Sequence, residues 1–297
     1  MSGTESRGGA HDLGAVEEGT FETDGFELRY RVEGSGRPAI VIGSALYYSR
    51  VFSRNLRRHL RMAFVDHRGF APPPATIHPR SFELDTLIDD VEGVRRRLGF
   101  EQIVIVGHSG HAYMALEYAK KYPHAVTHVV LIAIAPRLGR EGAAAAQAHF
   151  DRTASAERKA ALEANYRALP DEALAGLSPG ETFRTVYLRD SPKAWYDPNF
   201  DATPLWDGVA SNEIIPKVWT ETFGSIDITR GLAALDKPVL LALGRHDYLV
   251  APPESWDPVR PRFRDLTVRI FEHSAHTPQH EEPDAFDAEL LGWLDTH

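Results

Sequence analysis

A serine between glycines, an aspartate and a histidine are the side chains here best suited to covalent acyl chemistry. Ser109 stands in Gly107-His108-Ser109-Gly110, after Gln102-Ile103-Val104-Ile105-Val106 and before the run Ala112 to Tyr122. A β-branched stretch without a polar break is the pattern of a strand buried on both faces. Tyr113, Met114, Leu116 and Tyr118 suit a helix that stops before Pro123. A serine on so abrupt a strand-to-helix turn has its hydroxyl pushed out above the sheet. The N–H after it and the helix N-terminus then face any oxyanion formed there. Gly107 lets the turn form without a Cβ clash. Taken alone, the same residues also describe an ordinary tight turn.

Acyl transfer needs, besides the nucleophile, a base to take its proton and a group to orient that base. Asp247 follows the apolar run Val239 to Leu243, in Leu243-Gly244-Arg245-His246-Asp247. His276 follows Thr267 to Phe271, in Glu272-His273-Ser274-Ala275-His276-Thr277-Pro278. Each is predicted to sit on a loop at the C-terminal edge of a sheet, the edge that carries Ser109. His276 is one of 14 histidines, and His246, His273 and His280 compete with it nearby.

The segment from Ile103 to Gly110 resembles the nucleophile elbow of the α/β-hydrolase fold. The order Ser, Asp, His is the order of that fold. The resemblance implies Ser109 as nucleophile, His276 as general base and then general acid, and Asp247 as the group that fixes its tautomer. Ala275 and Pro278 match the small residue before the family's histidine and the proline two residues after it. His111 departs from the pattern. It replaces a small residue that packs close to the neighbouring strand, so a rotation or a smaller neighbour must accommodate it. The family forms its oxyanion hole from the N–H after the serine, here Gly110, and one from the loop after the strand Pro38 to Ile42. In Gly43-Ser44-Ala45 the alignment favours Ala45, with Ser44 as the fallback. Asp66-His67-Arg68-Gly69 resembles the family's D-x-R-G loop, where Arg68 is expected to tie loops together. Enzymes of this fold with an Asp nucleophile, such as epoxide hydrolases and haloalkane dehalogenases, do not fit Ser109.

Within the family the chain looks most like the proline-iminopeptidase-related group, with Trp195-Tyr196-Asp197-Pro198 and Glu281-Glu282-Pro283 adding to the likeness. Authentic prolyl aminopeptidases have a His-Gly-Gly-Pro-Gly loop, a Gly-Gly-Ser-Trp-Gly elbow and glutamates that hold the substrate ammonium. Here the loop is Gly43-Ser44-Ala45-Leu46-Tyr47, the elbow has His108 and His111, and Tyr248 follows Asp247. Glu213 and Glu221 remain candidate acids. Leu46, Tyr47, Tyr48, His108, Trp195, Trp206 and Tyr248 are expected to line an apolar substrate pocket. Three readings follow: a serine hydrolase of esters, lactones or small amides; an aminopeptidase; and a non-hydrolytic ligand-binding member of the fold.

The elements that must position these residues are legible in outline. A hairpin turning at Asp24-Gly25 opens the chain. Buried strands are predicted at Pro38 to Ile42, Met62 to Val65 and Val126 to Ala135, and helices over Arg50 to Leu60 and Ser81 to Leu98. Strands alternating with helices imply an α/β class with a mostly parallel sheet covered on both faces. From Pro136 the texture becomes helical and wetter, broken at Pro179-Gly180, Ser191-Pro192 and Asp197-Pro198. Residues 136–227 are therefore expected to form a helical lid inserted into a core of residues 20–135 and 228–297. A helix over Pro283 to Leu294 closes the chain.

Composition narrows the function. Of 297 residues, 43% are hydrophobic and 25% charged, as in ordinary globular proteins. A net charge of −9 without a long basic run speaks against a nucleic-acid partner. The absence of cysteine removes disulfides, thiolate metal sites and a Cys nucleophile. No HExxH or P-loop sequence calls for a metal or nucleotide, so no cofactor is expected. No apolar segment is long enough to cross a bilayer. Residues 1–19 are polar and Gly-rich and are read as a flexible tail on a cytoplasmic protein. The expected partner is a small acyl substrate.

Overall fold

The computed structural model describes residues 15–297. Eight strands form one sheet: β1 (Glu17–Thr23), β2 (Phe26–Glu33), β3 (Arg37–Gly43), β4 (Leu60–Asp66), β5 (Ile103–His108), β6 (Val126–Ile132), β7 (Val239–Gly244) and β8 (Leu266–Phe271). Their spatial order is β1-β2-β4-β3-β5-β6-β7-β8. Only the pairs β1/β2 and β2/β4 are antiparallel. Most of residues 1–19, read as tail, lies outside the described residues. Glu17 to Gly19, however, already belong to β1 and pair with Tyr30, Arg31 and Val32. The hairpin turns on Asp24 and Gly25, both at positive φ, as a two-residue turn with the twist of its strands demands.

The helices are α1 (Ala45–Val51), α2 (Leu84–Arg97), α3 (His111–Lys121), α4 (Arg140–Thr153), α5 (Ala156–Ala168), α6 (Pro179–Arg189), α7 (Ser191–Ala194), α8 (Ile214–Lys217), α9 (Pro278–Glu281) and α10 (Pro283–Thr296). The helix expected over Arg50 to Leu60 is displaced. Ser44 caps α1 by accepting the Tyr47 N–H, and the Arg57 guanidinium donates to the carbonyls of Ser49, Phe52 and Ser53. Those carbonyls would otherwise accept from a continuing helix, so α1 ends at Val51 and only a single turn, Leu56–Arg58, follows.

The strands β3, β5, β6 and β7 are buried almost throughout, and apolar clusters lie on both faces of the sheet. The stretch between β6 and β7 contains α4 to α8 and no strand. Arg68 donates to both carboxylate oxygens of Asp90 on α2 and to Asp24 in the hairpin turn, the loop-tying role expected of it. Asn212 donates to the carbonyls of Arg68 and Ala71 and so anchors the helical stretch to the same loop.

Candidate active site

Ser109 stands between β5 and α3 at φ 56, a conformation that costs a non-glycine residue energy and persists only where its surroundings enforce it. Its N–H donates to the Ile132 carbonyl at the end of β6, and its carbonyl accepts from Ala112. Gly107 has no alternative at its position. A Cβ there would lie 2.3 Å from the His111 carbonyl oxygen and 2.6 Å from the Ala112 Cα.

Asp247 and His276 meet above the same sheet edge. His276 Nδ1 is 2.7 Å from Asp247 Oδ2, with both side chains buried. The other aspartate oxygen accepts the Leu249 N–H at 2.9 Å. The two loops approach each other because β7 ends in Gly244, where a Cβ would fall 1.8 Å from the Ala275 carbonyl oxygen. The His246 N–H then donates to the Ser274 carbonyl. Of the competing histidines, His246 and His273 pack against Tyr196, and His280 packs against Trp195 and Phe200.

The loop carrying His276 is held from two sides. The His276 N–H donates to the Ala194 carbonyl at the end of α7. Glu281 accepts the Ala275 and Thr277 N–H groups on one oxygen and the Tyr196 N–H on the other, at 3.0, 3.0 and 2.5 Å. Burial pushes the Glu281 carboxyl up to about 7 against those three hydrogen bonds. Arg158 on α5 donates to the carbonyls of Pro192, Trp195 and Tyr196.

Ser109, His276 and Ser44 line one cavity of about 580 Å³. Of the predicted pocket residues, Tyr47, Tyr48, His108 and Trp206 lie on its wall. Leu46, Trp195 and Tyr248 do not. Leu46 packs in the apolar cluster outside the cavity, facing Gly208. Trp195 stacks on Phe200 with centroids 4.3 Å apart, and Tyr248 packs with Phe150 and His149 beneath Arg158. Trp195 and Tyr248 are aromatics near the expected loops that pack on neighbours outside the cavity. In their place the helical stretch contributes Phe183, Val186 and Tyr187 from α6, together with Trp219. The four-residue spacing of Phe183 and Tyr187 was the sequence signal for this face. Glu213 and Glu221 are exposed and stand away from the cavity, where Asp190 is the lining acid among the described residues.

The second expected oxyanion donor needs correction. The Ala45 N–H is committed to Asp66 Oδ1 at 2.7 Å and does not face the cavity. Burial raises Asp66 to about 6, opposed by Arg29, which donates to its other oxygen. Ser44 lines the cavity instead, and neither its N–H nor that of Gly110 has a hydrogen-bond partner among the described residues.

His111 is accommodated by a glycine. A Cβ on Gly43 would lie 2.1 Å from the Tyr48 ring and 2.9 Å from His111 Cε1. In the room this leaves, the Tyr48 hydroxyl sits 3.1 Å from His108 Nδ1 and 3.0 Å from His111 Nδ1. His108 Nε2 lies 2.6 Å from the His276 carbonyl oxygen. A carbonyl only accepts, so that nitrogen carries the proton and His108 Nδ1 is the acceptor for Tyr48. Desolvation holds His108 down to about 3 and keeps it neutral.

The alpha/beta hydrolase fold family matches residues 35–283. The chain belongs to that family, and it is a hydrolase. It is 42% identical over 278 residues to the AB hydrolase superfamily protein YclE of Bacillus subtilis, covering 93% of this chain and 98% of that one. It is 26% identical to the proline iminopeptidase PfmaB of Pestalotiopsis fici, covering 89% and 94%. An esterase from Exiguobacterium antarcticum has the same fold at a TM-score of 0.67 and 19% identity, covering 93% of this chain and 99% of that one.

Proposed function

We propose that this hydrolase cleaves an ester, lactone or small amide of a neutral acyl group through Ser109, His276 and Asp247. The observation that carries this reading is the 2.7 Å contact of His276 with Asp247 on the wall of the cavity that holds Ser109. The Ser109 hydroxyl attacks the carbonyl carbon while His276 Nε2 takes its proton. Asp247 holds Nδ1–H, fixing the tautomer and stabilising the imidazolium. The Gly110 and Ser44 N–H groups receive the oxyanion. Collapse of the tetrahedral intermediate expels the alcohol or amine, protonated by His276. Water activated by the same histidine then hydrolyses the acyl-enzyme. A largely aromatic and aliphatic cavity wall suits a neutral acyl group, because a buried ammonium needs a carboxylate partner.

Asp190 on the cavity wall, and the proline iminopeptidase among the relatives, support an aminopeptidase as the second reading. Its carboxylate already accepts the Tyr166 hydroxyl at 2.8 Å. A screen of acyl esters, lactones and aminoacyl amides, run with wild type and Ser109→Ala, tests both. Turnover of neutral esters that vanishes in the variant supports the first reading. A preference for a prolyl amide over its N-acylated counterpart, lost in Asp190→Asn, establishes the second.

A further inference from the structure

Two buried histidine nitrogens beside the cavity take no part in the chemistry proposed above. His111 Nδ1 lies near two oxygens, the Tyr48 hydroxyl at 3.0 Å and the His108 carbonyl at 3.3 Å. The Tyr48 proton is already given to His108, and a carbonyl only accepts, so His111 Nδ1 carries the hydrogen and Nε2 is left with a bare lone pair. In His67 the assignment is the reverse. Its Nδ1 accepts the Gly69 N–H at 2.8 Å, so Nε2 carries the hydrogen. Neither Nε2 has a hydrogen-bond partner among the described residues, and both side chains are 2% exposed. Unpartnered buried polar atoms are uncommon and costly, and they call for an explanation.

The two rings are neighbours, with centroids 5.0 Å apart. Both pack against Phe70 and Trp219, which line the cavity as His111 does. One ring therefore offers a donor and its neighbour an acceptor. Burial holds His67 at about 3 and His111 well below its ordinary value, so the pair carries no charge at neutral pH. A carboxylate would meet the His111 lone pair with a like partial charge, and an ammonium would find no acceptor on His67. A hydroxyl both accepts and donates through a single oxygen.

We propose that His67 and His111 form a subsite that recognises a hydroxyl group on the substrate, accepting from His67 Nε2–H and donating to His111 Nε2, beside the cavity walls Phe70 and Trp219. The inference rests on the serine-hydrolase reading for its substrate class. A site built to hydrogen-bond a hydroxyl rejects the analogue that lacks it, because its own polar atoms are then left unpaired.

The test uses matched pairs of p-nitrophenyl esters: phenylpropanoate against its meta- and para-hydroxyphenyl analogues, and hexanoate against its terminal hydroxy analogue. The readout is the ratio of kcat/KM within each pair, so a general loss of activity cancels. The wild type is expected to favour one hydroxylated ester by about tenfold or more. That ratio should fall to about one in His67→Phe and in His111→Phe, and recover in part in His67→Gln, which restores a donor. Calorimetric binding of the hydroxylated and parent acids to Ser109→Ala measures the same preference without turnover. Absence of ester turnover with the binding preference intact would defeat the hydrolase reading and leave the subsite standing. Equal ratios within every pair in the wild type, or a preference that survives both phenylalanine variants, would overturn the subsite and leave the pair to a structural water.

Discussion

The floor of the cavity and its wall are built by opposite means. On the floor, backbone geometry does the positioning: Ser109 at positive φ, Gly107 and Gly244 where no Cβ fits, and two loops crossing within hydrogen-bonding distance. Strands buried on both faces hold it in place. The part of the wall that the helical stretch supplies is made of side chains on helices that bury little. In α6, which carries Phe183, Val186 and Tyr187, only Gly180 and Arg189 are buried. Helices with so few buried residues open locally at low cost. The difference separates two tolerances: the floor accepts almost no substitution, whereas the wall accepts many and changes what it admits.

Removing the proposed nucleophile should have the largest effect. Ser109→Ala is expected to lower kcat by about 10⁴-fold or more and to abolish labelling by a fluorophosphonate probe. Retained turnover would place the chemistry elsewhere. Next comes the crossing of the loops. Gly244→Ala should destabilise the fold by about 3 kcal/mol or more in urea unfolding, since the clash is with backbone that cannot rotate away. A stable, active variant would show the floor to be softer than its contacts indicate.

Acid should strike the buried histidines around Ser109 before it strikes the helical stretch. His67, His108 and His111 are buried neutral, with protonation depressed below the ordinary histidine value. The unfolded chain binds more protons than the folded one between about pH 6.5 and about pH 3, so stability is full above that window and is lost as pH falls through it. Each such histidine contributes about 1.4 kcal/mol per pH unit at most. Replacing His67 with Phe should flatten the fall of Tm on acidification, and an unchanged slope would mean that the ring is protonated in the folded protein.

The wall should respond more mildly. Phe183→Ala and Trp206→Ala are expected to shift the relative kcat/KM for long against short acyl esters by about tenfold, with probe labelling of Ser109 retained. Loss of labelling in a folded variant would give the wall a part in the chemistry. The smallest effect belongs to Glu213→Gln and Glu221→Gln, which should change turnover of any substrate by less than about twofold, because both carboxylates are exposed and away from the cavity.

The same division governs what was legible in the amino-acid sequence. The buried strands and the turn at Ser109 announce themselves through β-branched runs and glycines, and they lead to Asp247 and His276 as loop residues of one edge. The expectation of Ala45 as oxyanion donor fails on Asp66, a partner distant in sequence that takes its N–H. The helix read over Arg50 to Leu60 has the right periodicity, but Ser44 starts the turn earlier and Arg57 takes the carbonyls that end it. Trp195 and Tyr248 show the limit of composition. An aromatic near a site packs wherever the tertiary structure offers an apolar neighbour, and for these two it lies outside the cavity.

The hold of α7 and Glu281 on the His276 loop bears on protein engineering. The Ala194 carbonyl and the Tyr196 N–H meet His276 and Glu281, so residues 191–196 are tied to the His276 loop on one side and, through Arg158, to α5 on the other. A chimera that exchanges residues 136–190 for those of a relative has to keep an arginine at Arg158, which holds the carbonyls of Pro192, Trp195 and Tyr196. One whose seam falls after Tyr196 carries foreign backbone against the histidine, and Glu281 then has to be exchanged along with it.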